Sequence, residues 1–227
     1  MKKLTFYSEL AYVFGIITLA LGTALTERTD FGVSMVVAPA YILHLILSEI
    51  FPFFSFGMAE YTLQALILIS MVIILRKAKL SYLFSFVTAV IYGFVLDTSI
   101  SLVALLPFET FIANIIYYAV GLLLCTLGIS LLFHTYISPE AYELFVKEIS
   151  AKHNIDIHKL KTIYDCVSCV ISIILSFAFF GLWNFEGVKL GTIICALING
   201  TLIGLWSKFL EKKFIFKDKF KLKKFFD

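Results

Sequence analysis

Apolar residues run along this chain in long blocks, broken by short polar or basic clusters. Six blocks are long enough to be membrane helices: Tyr7–Leu25, Gly57–Leu75, Leu80–Leu102, Phe111–Phe133, Thr162–Leu182 and Leu190–Leu210. A helix crossing the hydrocarbon needs about 20 such residues. Strands of a membrane barrel would instead alternate over about 10 residues, and no such alternation shows. A seventh stretch, Val33–Leu47, is shorter and contains Pro39 and His44. The pattern predicts an all-α integral membrane protein.

Basic residues decide how many blocks cross. With six spans and the N-terminus inside, 17 of the 19 lysines and arginines fall on the inner side, leaving only Arg28 and Lys189 outside. Counting Val33–Leu47 as a span would move three later basic groups to the wrong side, against the positive-inside rule. Six spans with both termini cytoplasmic is the expectation. Lys2 and Lys3 followed by an apolar run resemble a signal peptide, but no small-residue cleavage site follows, so the run reads as an uncleaved first span.

Composition agrees. The 227 residues are 60% hydrophobic and 15% charged, against about 25% charged in soluble domains. The 24 phenylalanines exceed what a soluble core of this length could hide. A nucleic-acid module, which needs a water-exposed basic face, is excluded. The basic tail 211–227 interleaves lysines with Phe214, Phe216, Phe220, Phe225 and Phe226. It reads as a solvated positive-inside flank or as a surface lying on anionic lipid.

The two halves echo one another. Gly15 and Gly22 in the first span recur as Gly121 and Gly128 in the fourth, both at an offset of 106. Ser34, Pro39 and Tyr41 have counterparts in Ser138, Pro139 and Tyr142. Leu83, Ala89 and Gly93 match Leu190, Ala196 and Gly200 at an offset of 107. The unit is span, short helix, span, span. An odd number of spans per unit inverts the second copy, a recurrent transporter design. The predicted fold is six transmembrane helices in a 3 + 3 inverted repeat, halves 1–106 and 107–227. Each half has one additional short non-spanning helix: 34–47 outside and 138–149 inside. The second is amphipathic, with Pro139 following a cap at Ser138. Its Glu140, Glu143, Lys147 and Glu148 make it too polar to span.

Together the strings LALGTALTERTDFGVSMVVAPAYIL, VIYGFVLDTSI, AVGLLLCTLGISLLFHTYISPEAYELF, IYDCVSCVISI and GVKLGTIICALINGTLIGLWSKFLE resemble the YczE/YitT-like bacterial membrane proteins over most of the chain. The resemblance implies this architecture and a bacterial cytoplasmic membrane location, for a family in which transport has been presumed.

Polar residues inside spans are costly and point to function. Asp97, near the outer end of the third span beside Thr98, Ser99 and Ser101, reads as a cation or proton site or as a hydrated interface residue. Gln64 falls in the outer part of the second span and Asn199 near the middle of the sixth, where an asparagine also serves to join helices. Asp165, toward the inner end of the fifth, is a coupling candidate or a helix-start residue. Glu9 and Glu60 sit at span edges, where water is near. His44 and His134 read as interfacial, with proton coupling as the alternative. A cavity between the halves lined by Asp97, Gln64, Asn199 and Ser34 is the expected solute site, with Asp97 and Asp165 as coupling groups. Gly15, Gly22, Gly121 and Gly128 are expected to pack the first helix against the fourth. Cys166 and Cys169 form C-x-x-C, read as packing or as a redox or metal pair; Cys125 and Cys195 also lie in spans.

No Walker loop, H-E-x-x-H or G-x-S-x-G occurs. The expectation is a non-enzyme without cofactor or metal: a secondary transporter or permease whose partners are lipid and a small solute. The alternatives are a substrate-binding subunit energised by partner subunits, and a non-transporting scaffold or regulator. Association as a homodimer is compatible with each, and nucleic acid is not a partner.

Overall fold

The computed structural model describes residues 3–77, 79–107 and 110–219. Among them are eight helices and one pair of short strands: β1 (Leu4–Tyr7), α1 (Ser8–Arg28), α2 (Ala38–Ile50), α3 (Phe56–Leu75), α4 (Leu80–Val103), α5 (Phe111–Phe133), α6 (Ala141–His153), α7 (Ile157–Phe180), α8 (Leu190–Lys213) and β2 (Phe214–Lys217). All but the two short helices α2 and α6 are long and apolar enough to cross a membrane. The chain is a multi-pass membrane protein. Its outward faces carry exposed Leu66, Ile69, Ile73, Phe94, Ile115, Ile174 and Leu197, a surface that water would not tolerate and lipid would cover.

The span boundaries follow capping chemistry. Ser55 starts α3 by accepting the Met58 N–H at 3.0 Å, and Thr110 starts α5 by accepting from Ala113 at 3.2 Å. Asp156 accepts from the backbone of His158 and Lys159, so α7 begins at Ile157 rather than Thr162. The short helices begin later than expected, at Ala38 and Ala141. The segments before them are held by side chains from distant spans. Thr192 on α8 donates to the Val33 carbonyl at 2.8 Å, and Ser85 and Thr88 on α4 donate to Pro139 and Ser138 at 2.6 and 2.9 Å. Carbonyls satisfied in this way have no need of helical partners. Ser138 therefore does not cap α6; Glu140 occupies the N-cap position.

The helices form a closed ring. α1 packs on α4 and α5, α5 on α8, α8 on α7, and α4 on α3. The gap between α3 and α7 is filled by α2 from one end and by α6 from the other, each touching both helices. α1 and α5 cross very closely. A methyl group added at Gly22 would stand 2.6 Å from the Cys125 nitrogen and the Gly121 oxygen, and one at Gly128 would stand 2.7 Å from the Gly15 oxygen. Real side chains do not approach backbone so closely, and glycine alone permits the crossing. Around it lies one core that includes Ile16, Leu19, Ala20, Tyr92, Leu96, Cys125, Ile129 and Leu132.

The strands tie the two ends of the described chain together. β1 and β2 pair in parallel from Leu4↔Phe214 to Tyr7↔Lys217. Beyond them, Ser8 donates to Asp218 at 2.7 Å and the Lys219 N–H donates to Glu9 at 3.0 Å. The start of the basic tail thus stands beside the start of α1. Residues 220–227 of that tail lie outside the described residues.

Candidate functional site

Polar side chains converge where α6 enters between α3 and α7. Gln64 stands nine residues into α3, and Asp165 nine residues into α7. At 1.5 Å rise per residue that is about 12 Å from each helix start, well inside the span. Glu60 and Lys161 stand one helical turn earlier on the same faces, since residues four apart are neighbours on a helix. α6 supplies Glu140, Tyr142 and Glu143 at its buried start, and α8 supplies Asn199. All eight side chains belong to residues no more than 2% exposed.

Two linked networks result. On the α7 side, Asn199 donates its Nδ2 to Asp165 at 2.9 Å. Lys161 Nζ then bridges Asp165 at 3.1 Å and Glu143 at 3.0 Å. On the α3 side, Gln64 accepts the Ala141 N–H through its Oε1 at 2.9 Å. That bond turns the amide nitrogen toward Glu60 at 3.3 Å and Glu140 at 3.1 Å. Tyr142 donates its hydroxyl to the same Glu60 oxygen at 3.1 Å. Glu140 and Glu143, one turn apart on α6, join the two networks.

The charges do not balance. Glu60, Glu140, Glu143 and Asp165 face a single cation, Lys161, already committed to two of them. One oxygen each of Glu60, Glu140 and Glu143 is buried without a hydrogen-bond partner among the described residues. Burying an uncompensated carboxylate costs several kcal/mol. Burial accordingly pushes the Glu140 carboxyl well above the usual carboxylate range, and the negative charges of Glu143 and Glu60 push it further. The ensemble has the chemistry to hold protons, and it presents groups of both charge signs.

The structure brings some expected site residues together and separates others. Gln64, Asn199 and Asp165 share this cluster. Gln64 meets α6 rather than the outer short helix, because its height on α3 matches the buried start of α6. Asp165 lies deeper than expected, because α7 starts earlier. Asp97 is elsewhere: it accepts from Ser55 at 2.7 Å and from the Gly57 N–H at 2.9 Å, and so closes the start of α3. Ser34 is also apart. Its carbonyl accepts from Val37 and Ala38 and starts α2, while its hydroxyl lies against Met35 and Cys195. The expected four-residue lining is therefore divided: Gln64 and Asn199 stand in the cluster, while Asp97 and Ser34 hold the starts of α3 and α2. Gly15 and Gly22 face Gly128 and Gly121 across α1 and α5.

Five residues of the cluster were not candidates from sequence. Glu60 read as a water-edge residue, yet it is fully buried. Glu140 and Glu143 read as the polar face of a surface helix, Tyr142 as a mark of the repeat, and Lys161 as one more inner-side cation. The spacings Glu60–Gln64 and Lys161–Asp165, each one turn apart on a span, carry the signal that would have found them. His44 bonds the Phe54 carbonyl at 2.8 Å, and His134 bonds the Ser130 carbonyl at 2.7 Å and Glu211. All four cysteines are free thiols, and Cys125, Cys169 and Cys195 are buried.

A family model described as a family of unknown function, DUF6198, matches residues 6–208. The chain belongs to that family. No curated protein and no solved structure matches it.

Proposed function

We infer that this member of a family of unknown function is a secondary transporter or permease for a small solute, with no catalytic activity of its own. The observation that carries the reading is the buried cluster of Glu60, Gln64, Glu140, Glu143, Lys161, Asp165 and Asn199. Ionisable groups so deep in a membrane protein are expensive, and they mark solute or ion paths. α6 begins in the cluster and ends at the surface, so a small displacement of one short helix would open the site to one side.

The 3 + 3 inverted repeat belongs to the same proposal. It is supported by paired contacts: α3 lies on α4 as α7 lies on α8, and α1 lies on α4 as α5 lies on α8. It is supported too by the crossed hydroxyl bonds. α8 of the second half holds the segment before α2, and α4 of the first half holds the segment before α6. Rocking of one half on the other about the α1–α5 crossing would then be the transport motion. The likeness to the YczE/YitT-like proteins, the bacterial cytoplasmic membrane and the cytoplasmic termini complete the reading. The pairing of β1 with β2 at one end of the molecule supports a common side for both termini.

The test is uptake. The purified chain in liposomes would be screened against small solutes with and without a proton or sodium gradient. Gradient-driven accumulation by this chain alone is expected. Solute binding without uptake would favour a subunit energised by partners, and neither would favour a scaffold.

A further inference from the structure

Within the cluster, the two carboxylates on α3 and α6 differ from the two on the α7 side. Asp165 and Glu143 share Lys161. Glu60 and Glu140 share one neutral amide nitrogen, that of Gln64. The Ala141 N–H fixes which way that amide faces, so the pair looks at its N–H2 and not at its oxygen. Glu60 Oε1 and Glu140 Oε1 are both buried and accept from nothing among the described residues. Two full negative charges held this way would repel each other in a low-dielectric setting with no cation committed to either.

We propose that Glu60 and Glu140, joined by Gln64, form a proton-binding site that holds at least one proton while α6 is seated and releases it when α6 moves away from α3. The proton comes from water at the end where α6 enters, binds a carboxylate oxygen and returns to water; no other bond changes. A metal cation fits less well. The amide nitrogen that both carboxylates face is a donor, and the oxygen that could ligate a metal is taken by Ala141. Other charged or titratable groups act on this pair from every side. They are Tyr12 on α1, Tyr92 on α4, Cys125 on α5, Tyr142 and Glu143 on α6, and Lys161 on α7; Tyr164 and Asp165 stand behind Lys161. Lys161 is the one cation among these and is already paired with Glu143 and Asp165, which leaves a proton as the compensating charge for the pair. The inference rests on the transport reading for what the proton drives, but not for its presence.

The probe is the proton itself. The full chain in liposomes would be followed by infrared spectroscopy as pH rises, reading the C=O stretch of protonated carboxyl groups. A buried carboxyl band that fades with rising pH is expected, and 13C labelling of glutamate should shift it. Glu60→Gln and Glu140→Gln should each remove part of the band, and the double variant should remove it; Asp165→Asn should leave it in place. The label test needs no variant, so it stands even where a substitution prevents folding. Absence of a titrating band, or a band that ignores the glutamate label or survives the double substitution, overturns the proposal. A band with the expected behaviour in a chain that transports nothing overturns the transport reading and leaves the proton site standing.

Discussion

α2 and α6 occupy the same cradle from opposite ends and make opposite use of it. Each has 13 residues, starts buried and ends at the surface, and lies between α3 and α7. α2 puts Ala38, Ala40 and Ile42 into the interior, against Val33, Met35 and Val36 of its own entry segment. α6 puts Glu140, Tyr142 and Glu143 there. Apolar packing gives α2 a fixed seat, because dispersion contacts and burial have no alternative partner in water. α6 also buries Ala141, Leu144 and Val146, but its seat adds hydrogen bonds and charge, which water and protons can replace. Matching contacts thus surround an apolar start at one end and a charged one at the other among the described residues, which is why the proposal gives the moving role to α6.

The largest break in that comparison comes from Lys161. Substitution by methionine leaves Glu143 and Asp165 buried without their cation, a change that typically costs about 3–5 kcal/mol. Reversible unfolding in mixed micelles should show a loss of that order. Adding Glu143→Gln to the same chain should recover part of it, because one stranded charge goes with it. No loss in Lys161→Met would mean that water already reaches the α6 seat.

Six spans, one short helix in each half and the order of all eight helices were legible in the sequence, because lipid enforces long apolar blocks whatever the tertiary contacts are. The cluster was half legible. Gln64, Asp165 and Asn199 stand out as polar residues inside apolar runs. Glu60 and Lys161 lie near the ends of such runs, where water is the natural assumption. Only the inward course of residues 134–140 puts the start of α6 at their level. That course depends on Ser85 and Thr88 reaching across from α4, a long-range event without local sequence signature. Asp97, read near the outer end of its span as a cation or proton site or as a hydrated interface residue, takes bonds from Ser55 and Gly57 at the start of the neighbouring helix, a pairing that sequence spacing does not reveal.

The common cradle is tested at the α1–α5 crossing. Gly22→Ala and Gly128→Ala press a methyl group onto backbone atoms, which cannot swing aside. Each should cost about 1–3 kcal/mol by overpacking. Gly15→Ala meets the Leu132 side chain at 3.0 Å and the Gly128 oxygen only at 3.2 Å, looser than the contacts at the other two, and should cost less than either. Equal tolerance at all three positions would show that the helices separate easily, and the rigid crossing would have to be given up.

The hydroxyl clasps sharpen the symmetry. Thr192→Val frees the Val33 carbonyl before α2, and Ser85→Ala frees the Pro139 carbonyl before α6. Ser85→Ala removes one buried hydrogen bond, worth about 1 kcal/mol; Thr192→Val removes its counterpart together with the 3.4 Å bonds of the same hydroxyl to the Gly187 carbonyl and from the Lys189 N–H, so a loss at least as large is expected. In an uptake assay the two should part company. Loosening the segment before α6 should alter the pH dependence of transport, whereas loosening the segment before α2 should not. A shift with Thr192→Val alone would assign the moving role to α2.

The smallest effect is expected at the spans' own caps, where α3 and α7 differ. Asp97 is partly buried and takes bonds from Ser55 and Gly57, whereas Asp156 is exposed and takes them from the backbone of His158 and Lys159. The Lys159 N–H is the main reason that the Asp156 carboxyl titrates below its ordinary 3.8, with the His158 N–H and the Lys159 charge contributing. A depressed carboxyl contributes stability that is fully present above its unfolded value and is lost as pH falls through the lower folded value. Asp156→Ala should therefore cost no more than about 1 kcal/mol at neutral pH, the usual worth of an N-cap. That cost should shrink toward zero as pH drops below 3.8, when wild type loses the same bond. Asp97→Asn keeps one acceptor oxygen on Ser55 or Gly57, so it should lower stability slightly while leaving solute binding and its pH dependence unchanged. Loss of binding in that variant with the fold intact would return Asp97 to the site and place a second polar centre beside α2, ending the contrast between the two short helices.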